Sequence, residues 1–155
     1  MARVEGEITI NRSVDEVFDF VADERHEPLF NPAMLQAELV SDQPIDAGSR
    51  FHAVMSMRGR PVDMTIEFTA YERPRLLASS THLSSMEIRG TLTFDPVPEG
   101  TRMRWSWELH PRGVLKLFSP LVTHMGRRQE ETIWKGLKRC MERWEAPTPQ
   151  IPADP

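Results

Sequence analysis

The chain has 155 residues, 39% of them hydrophobic and 27% charged, with a formal charge of -4. That balance belongs to a folded globular chain and excludes a disordered or collagen-like one, and the length fits one domain burying roughly two-thirds of its unfolded surface. With no strongly basic segment the chain has no electrostatic grip on phosphate backbones, so nucleic acid is not an expected partner.

From Val4 to Ile10 the residues alternate, with Val4, Gly6, Ile8 and Ile10 on one side and Glu5, Glu7 and Thr9 on the other, as a half-buried strand does. Ser13 and Glu16 form a capping-box pattern, and Val14, Val17, Phe18 and Val21 then recur at helical spacing. This helix is expected to end near Asp23 to His26, and the prolines at 28 and 32 restrict any second helix to a short one. From about residue 36 to 110 the pattern becomes six strands separated by turns. Asp46-Ala47-Gly48, Arg58-Gly59-Arg60-Pro61 and Glu72-Arg73-Pro74-Arg75 are turns; Phe51, Ala53, Met55 and Met57 share one strand face, and Val62, Met64, Ile66, Phe68 and Ala70 share another, leaving Tyr71 outward. Leu76 to Leu83 is polar on both phases around Ser79-Ser80-Thr81, so its inward side is not decided by pattern. Met86, Ile88, Gly90, Leu92 and Phe94 restore the alternation, and Met103, Trp105, Trp107 and Leu109 form the inward face of the last strand.

Ser119-Pro120 predicts a helix start, with a capping serine and a proline at the first helical position. The helix is expected to run to about Trp144, roughly 25 residues, with Val122, Gly126, Gln129, Ile133, Leu137, Cys140 and Trp144 on one face, flanked by Met125 and Gly136. The prolines at 147, 149, 152 and 155 predict a disordered tail over 146–155 after a domain spanning 1–145. Glu5 and Glu7 stand where a signal peptide would be apolar, the one cysteine cannot form an internal disulfide, and no stretch approaches the ~18 apolar residues of a membrane span. The expected setting is cytoplasmic, without stable membrane insertion.

One strand, a short helical segment, six strands and a long terminal helix, in that order, resemble the helix-grip fold of the START-like, or SRPBCC, superfamily. The local features agree: Ser13-Val14-Asp15-Glu16-Val17-Phe18 at the first helix, Asp23 followed by Phe30-Asn31-Pro32, Gly48 before a strand, Gly100-Thr101 entering the last strand, and Leu137-Lys138 with Glu142 late in the final helix. The resemblance covers about residues 3 to 145; one departure is Phe30, where many members carry tryptophan. It implies an α+β domain in which a curved antiparallel sheet of about seven strands wraps around the C-terminal helix and encloses a cavity. Elsewhere in the family such cavities hold lipids, hormones, quinones or aromatic polyketides, and some members are cyclases, hydrolases or protein-binding adaptors of the heat-shock-activator type. Fold alone does not select among these.

The expected partner is therefore a small apolar or aromatic ligand, with the chain a monomer or homodimer. The expected cavity wall comprises Phe30, Met55, Met57, Met64, Ile66, His82, Ile88, Trp105, Trp107, Met125, Gln129 and Ile133. Nine methionines are a mild excess, and methionine is a flexible filler suited to varied ligands, though it also packs ordinary cores. Trp105 and Trp107 offer flat apolar walls whose indole N–H groups need partners. Gln129 sits mid-way along the expected apolar helix face beside Gly126, so its amide requires a partner: a ligand, water, or Ser80 or His82. A cyclase-like reading would give His82, Gln129 and Trp105 the work of orienting a reactive chain, with no carboxylate on any inward strand phase. The five histidines lack metal-ligand spacing, Cys140 reads as an inert core thiol, and no phosphate loop, dinucleotide fingerprint or nucleophile elbow is present, so neither metal nor cofactor is expected.

Overall fold

The computed structural model describes residues 2–113 and 119–143, apart from the side chains of Ser119 and Val122. The expected serine cap, Val122, Trp144 and the proline-rich tail lie outside the described residues. Seven strands form one antiparallel sheet: β1 (Ala2–Ile10), β2 (Met34–Leu39), β3 (Arg50–Met57), β4 (Arg60–Glu72), β5 (Leu76–Leu83), β6 (Met86–Val97) and β7 (Gly100–Pro111). Their order across the sheet is β1-β7-β6-β5-β4-β3-β2, so all strands from β2 to β7 are joined to their sequence neighbours, and β1 closes on β7. Between β1 and β2 lie helix α1 (Val14–Val21) and a 3-10 turn (Glu24–Leu29), and α2 (Ser119–Arg143) packs against β1. This is the helix-grip arrangement.

Local chemistry sets the element ends. The Ser13 hydroxyl accepts from the Glu16 amide at 3.3 Å and donates to the Glu16 carboxylate at 2.9 Å, so the expected box closes between the two side chains instead of reaching the cap's own amide. The Asp23 carboxylate caps the 3-10 turn by accepting from the Arg25 amide at 3.1 Å. Asn31, fully buried just past it, accepts from the Ala33 amide and donates to the Glu27 carboxylate at 2.8 Å. The Phe30-Asn31-Pro32 step therefore does more than end a helix: it fixes the direction of Glu27.

Two bulges alter the strand phases that simple alternation gives. One, between Met34 and Gln36, leaves Leu35 exposed on the edge strand. The other, between Phe68 and Ala70, reverses the phase of the end of β4 and turns Tyr71 inward, where its ring meets Phe18 edge-on at 5.2 Å. The expectation of an outward Tyr71 is corrected by that bulge. β5 resolves in favour of its odd phase, with Leu77, Ser79 and Leu83 buried and His82 exposed on the outer face.

The interior divides along the strands. At the α1 end, Phe18, Phe51, Phe68 and Phe94 are fully buried and their rings meet at 5.1–5.2 Å. Toward the other ends of the same strands, methionine, leucine and isoleucine replace phenylalanine. Helix α2 is bolted down at its C-terminal half only: Lys138 donates to the Thr9 carbonyl at 2.6 Å and pairs with Glu142, and Arg12 donates to the Met141 carbonyl at 2.9 Å. There Gly136 comes so close to the turn before β2 that a Cβ would stand 2.4 Å from the Phe30 carbonyl oxygen, a backbone atom that cannot step aside. At Gly126 the nearest atom a Cβ would meet is the end of the Leu109 side chain, at 3.3 Å. Gly136→Ala should therefore lower stability by about 1–3 kcal/mol despite the helix-propensity gain, whereas Gly126→Ala should leave it unaltered or raise it by up to about 1 kcal/mol. Urea unfolding of both variants checks the contrast, and equal effects would refute this account of how the helix docks.

Candidate functional site

While the second half of α2 is fastened to the end of β1 and the turn before β2, its first half bridges a cavity of about 660 Å³. The wall is mostly apolar. Met34, Met55, Met64, Met86, Ile66 and Ile88 come from the strands, with Leu77, Leu83, Leu92, Trp107 and Leu109 beside them. Ile133, Trp134, Gly126 and Gln129 face them from α2, and the exposed Met57, Leu121 and Met125 stand where the wall reaches solvent. Ser79, Thr81 and Ser85 supply hydroxyls along the β5 side.

A cluster of carboxyl groups adjoins this apolar space. Glu130 accepts two indole N–H bonds at the same oxygen, Oε2, from Trp134 at 2.7 Å and from Trp107 at 2.9 Å. The first partner lies one helical turn along α2, and the second reaches up from β7. Burial pushes the Glu130 carboxyl up from its ordinary 4.5 to about 7; the two indole bonds favour the ionised form but do not offset the desolvation, and the nearby Glu27 adds to the rise. Glu24 and Glu27, from the 3-10 turn, share the same wall. Glu24 is half-buried at the cavity wall, and desolvation, together with the charge of Glu27, raises its pKa well above the usual carboxylate range. Among the described residues the wall carries one cationic side chain, Arg58, exposed on the β3–β4 turn, where its φ is 52°. No group of His, Cys, Asp and Glu among the described residues is arranged to hold a metal ion.

The tryptophans are set by glycines across the sheet. Gly6 is the register partner of Trp105 and Gly90 that of Trp107, and a Cβ at either would lie 2.3 or 2.6 Å from the facing indole. Each ring leans over the bare backbone of its neighbour, and the Trp107 N–H reaches Glu130 on α2.

Of the expected wall residues, Met55, Met57, Met64, Ile66, Ile88, Trp107, Met125, Gln129 and Ile133 line the cavity. Three do not. His82 points from the outer face, beside Ser80 at 3.2 Å and within 4.0 Å of Glu87, because β5 turns its odd phase inward. Trp105 is buried behind the wall, its ring 5.9 Å from that of Trp134, and Phe30 is screened from the cavity by the same Trp134 at 6.1 Å. Gln129 borders the cavity but is exposed, with its Nε2 donating weakly to the Met55 sulfur at 3.7 Å, so neither Ser80 nor His82 is its partner. The buried seam of α2 runs instead through Ile133, Trp134, Leu137 and Met141, which brings Glu130 inward. The absence of an inward carboxylate on the strands holds, yet helical residues supply what the strands lack. A signal for this was present in the sequence: an acid and a tryptophan spaced i, i+4 in Glu130 and Trp134.

The sequence matches the family described as polyketide cyclase / dehydrase and lipid transport over residues 1–142, and the chain belongs to that family. Solved structures agree with the fold. A protein from Thermus thermophilus superposes with a TM-score of 0.78 at 19% identity, covering 90% of this chain and 97% of its own. A START superfamily protein from Mycobacterium smegmatis gives 0.79 at 12% identity, with 92% and 99% covered, and a Staphylococcus aureus protein of unknown function gives 0.74 at 12%, with 91% and 93% covered. At such identities the likeness establishes the fold alone. No curated protein matches the chain significantly.

Glu130 gives the site a pH signature. In the unfolded chain it releases its proton near 4.5 and in the folded chain near 7, so folding takes up a proton between those values. Its contribution is most favourable below pH 4.5 and is lost as pH rises to about 7, by about 2–3 kcal/mol. Glu24, raised for the same reason, acts in the same direction. Denaturant unfolding at pH 5 and pH 8 should show the wild type weaker at pH 8 and Glu130→Gln losing much of that difference; an unaltered slope in the variant would place Glu130 outside the titration. Exposed Gln129, by contrast, carries no burial penalty, and Gln129→Leu should alter stability by less than about 0.5 kcal/mol in thermal unfolding.

Proposed function

We propose that the chain binds one small, largely apolar molecule in the cavity between the sheet and the first half of α2. The observation that carries this reading is a cavity of about 660 Å³ walled by methionine, leucine and isoleucine. That volume falls inside the range of small-molecule sites, roughly 300–1,000 Å³. Methionine at several wall positions suits ligands of varied outline, because its unbranched thioether adjusts at little cost. The family description joins lipid transport to cyclase and dehydrase chemistry, and the apolar wall fits the former directly. An adaptor role would use an outer apolar patch, and the observation that carries the present reading is the apolar wall of an internal cavity.

A second reading, proton-transfer catalysis on such a ligand, is favoured by one feature. A carboxyl poised at about 7 can both accept and release a proton at neutral pH, and Glu130 borders the cavity. The roles first considered for His82 and Trp105 pass to Glu130, with Trp107 and Trp134 holding its Oε2.

Native mass spectrometry of protein purified from cells tests the binding reading directly, since a retained small molecule would add its mass. In solution, an apolar fluorescent probe should bind and quench tryptophan emission. Met64→Trp, at a wall position only 6% exposed, should reduce probe affinity at least tenfold while the variant stays folded. Undiminished affinity in a well-folded variant would move the site elsewhere.

A further inference from the structure

The cavity's polar groups also discriminate among ligands, and this inference rests on the binding reading above. We infer that the cavity selects an amphiphile with an apolar body and a protonated amine, and rejects one ending in a carboxylate or phosphate. The argument starts from charge. Glu24, Glu27 and Glu130 all face the apolar space, and among the described residues the wall offers them one cation, Arg58, which is exposed on a hairpin turn. Glu24 and Glu27 stand together on the 3-10 turn, where burial and the charge of Glu27 raise the Glu24 pKa well above the usual carboxylate range. Glu130 has two indole N–H donors but no cationic partner among its hydrogen bonds. Indole N–H groups orient a carboxylate without neutralising it.

A carboxyl cluster on a protein surface would say nothing, because water would serve each group. Here the carboxyls border about 660 Å³ of mostly apolar space, where an uncompensated charge is costly and an entering cation is correspondingly well bound. An ammonium group supplies the missing charge and donates to the carboxylates, while its alkyl or aromatic body covers Met64, Met86 and Ile88. A carboxylate ligand would add a like charge to the same space, and a neutral alcohol could only exchange hydrogen bonds.

The binding is linked to protons. An ammonium group favours the ionised form of Glu130, so its binding below pH 7 should drive off a proton, and affinity should rise with pH until Glu130 is ionised in the free protein. Of the charged groups in the same wall, Glu27 from the 3-10 turn acts on Glu130, and Glu24 and Arg58 line the cavity with it; Trp107 and Trp134 hold its Oε2.

Isothermal titration with dodecylamine, dodecanol and dodecanoate, each below its micellar concentration, tests the inference at pH 6 and pH 8. The amine should bind tightest, with affinity about tenfold higher at pH 8 than at pH 6 and proton release at pH 6 that scales with buffer ionisation heat. Dodecanoate should bind weakest and weaken further at pH 8. In Glu130→Gln the amine should lose at least tenfold at pH 8 and most of its pH dependence, with dodecanol within about threefold of wild type. Should that variant fail to fold, proton release by the wild-type protein decides alone. Equal binding of all three, or preference for dodecanoate, overturns the selectivity while leaving the cavity as a binding site. Failure of all three to bind overturns the binding reading itself, and this inference with it.

Discussion

The architecture depends on how α2 is fastened. Its second half is drawn onto the end of β1 and the turn before β2 by Lys138 on the Thr9 carbonyl, Arg12 on the Met141 carbonyl and the close approach of Gly136 to Phe30. A helix is stiff over these lengths, so anchoring one half dictates where the other half stands. The first half cannot settle into a sheet that curves away beneath it. The strands answer the same constraint in their composition, with phenylalanine filling the anchored end and methionine, leucine and isoleucine bordering the space at the bridged end. Cavity and dry core are two ends of one layer.

Glu130 stands near the boundary between those ends, and its position explains features that otherwise look unrelated. Trp134 follows it by one turn and Trp107 rises from β7, so one carboxylate oxygen joins the helix to the sheet where direct apolar packing stops. Two glycines make this possible. With Gly6 under Trp105 and Gly90 under Trp107, both indoles lean across neighbouring strands, and Trp105 in turn supports Trp134. The stack from Phe20 through Phe30 to Trp134 and Trp105 forms an aromatic partition, with neighbouring ring centroids 5.9–6.1 Å apart. A buried acid in that setting gives little net stability, because desolvation works against the indole bonds. Its retention points to the cavity it borders.

The sheet is legible in the sequence because period-two alternation survives along most strands, and the order of elements alone points to the helix-grip fold. Where a strand gains one residue, the alternation misleads: the bulge after Phe68 sends Tyr71 inward although its neighbours read it outward. β5 could not be phased because polar residues occupy both of its sides. The reason is functional in form, since Ser79 and Thr81 face the cavity while Ser80 and His82 face solvent. On α2 the helical wheel centred the apolar face on Gln129, one residue short of the carboxylate that is enclosed. Hydropathy alone assigns a glutamate to the wet side, and only the tertiary placement of two tryptophans overrides that preference. Glu24 and Glu27 were invisible for a related reason: a 3-10 turn has no amphipathic period long enough to read, and the direction of Glu27 depends on Asn31.

The outer face bears on this asymmetry. Several acids on the outer surface are paired: Glu108 with Arg3 and His110, Glu87 with Arg89 and Arg112, Asp19 with Arg73, and Glu7 with Arg102 and Arg104. Such exposed pairs contribute little to stability individually, but they show basic residues distributed opposite acids across the surface. The carboxyls bordering the cavity break that rule, having an asparagine and two indoles instead of lysine or arginine among the bonds described. Among those contacts no cation is hydrogen-bonded to Glu24, Glu27 or Glu130, so these carboxyls border the apolar cavity without a cationic partner there. Charge and shape thus converge on one cavity.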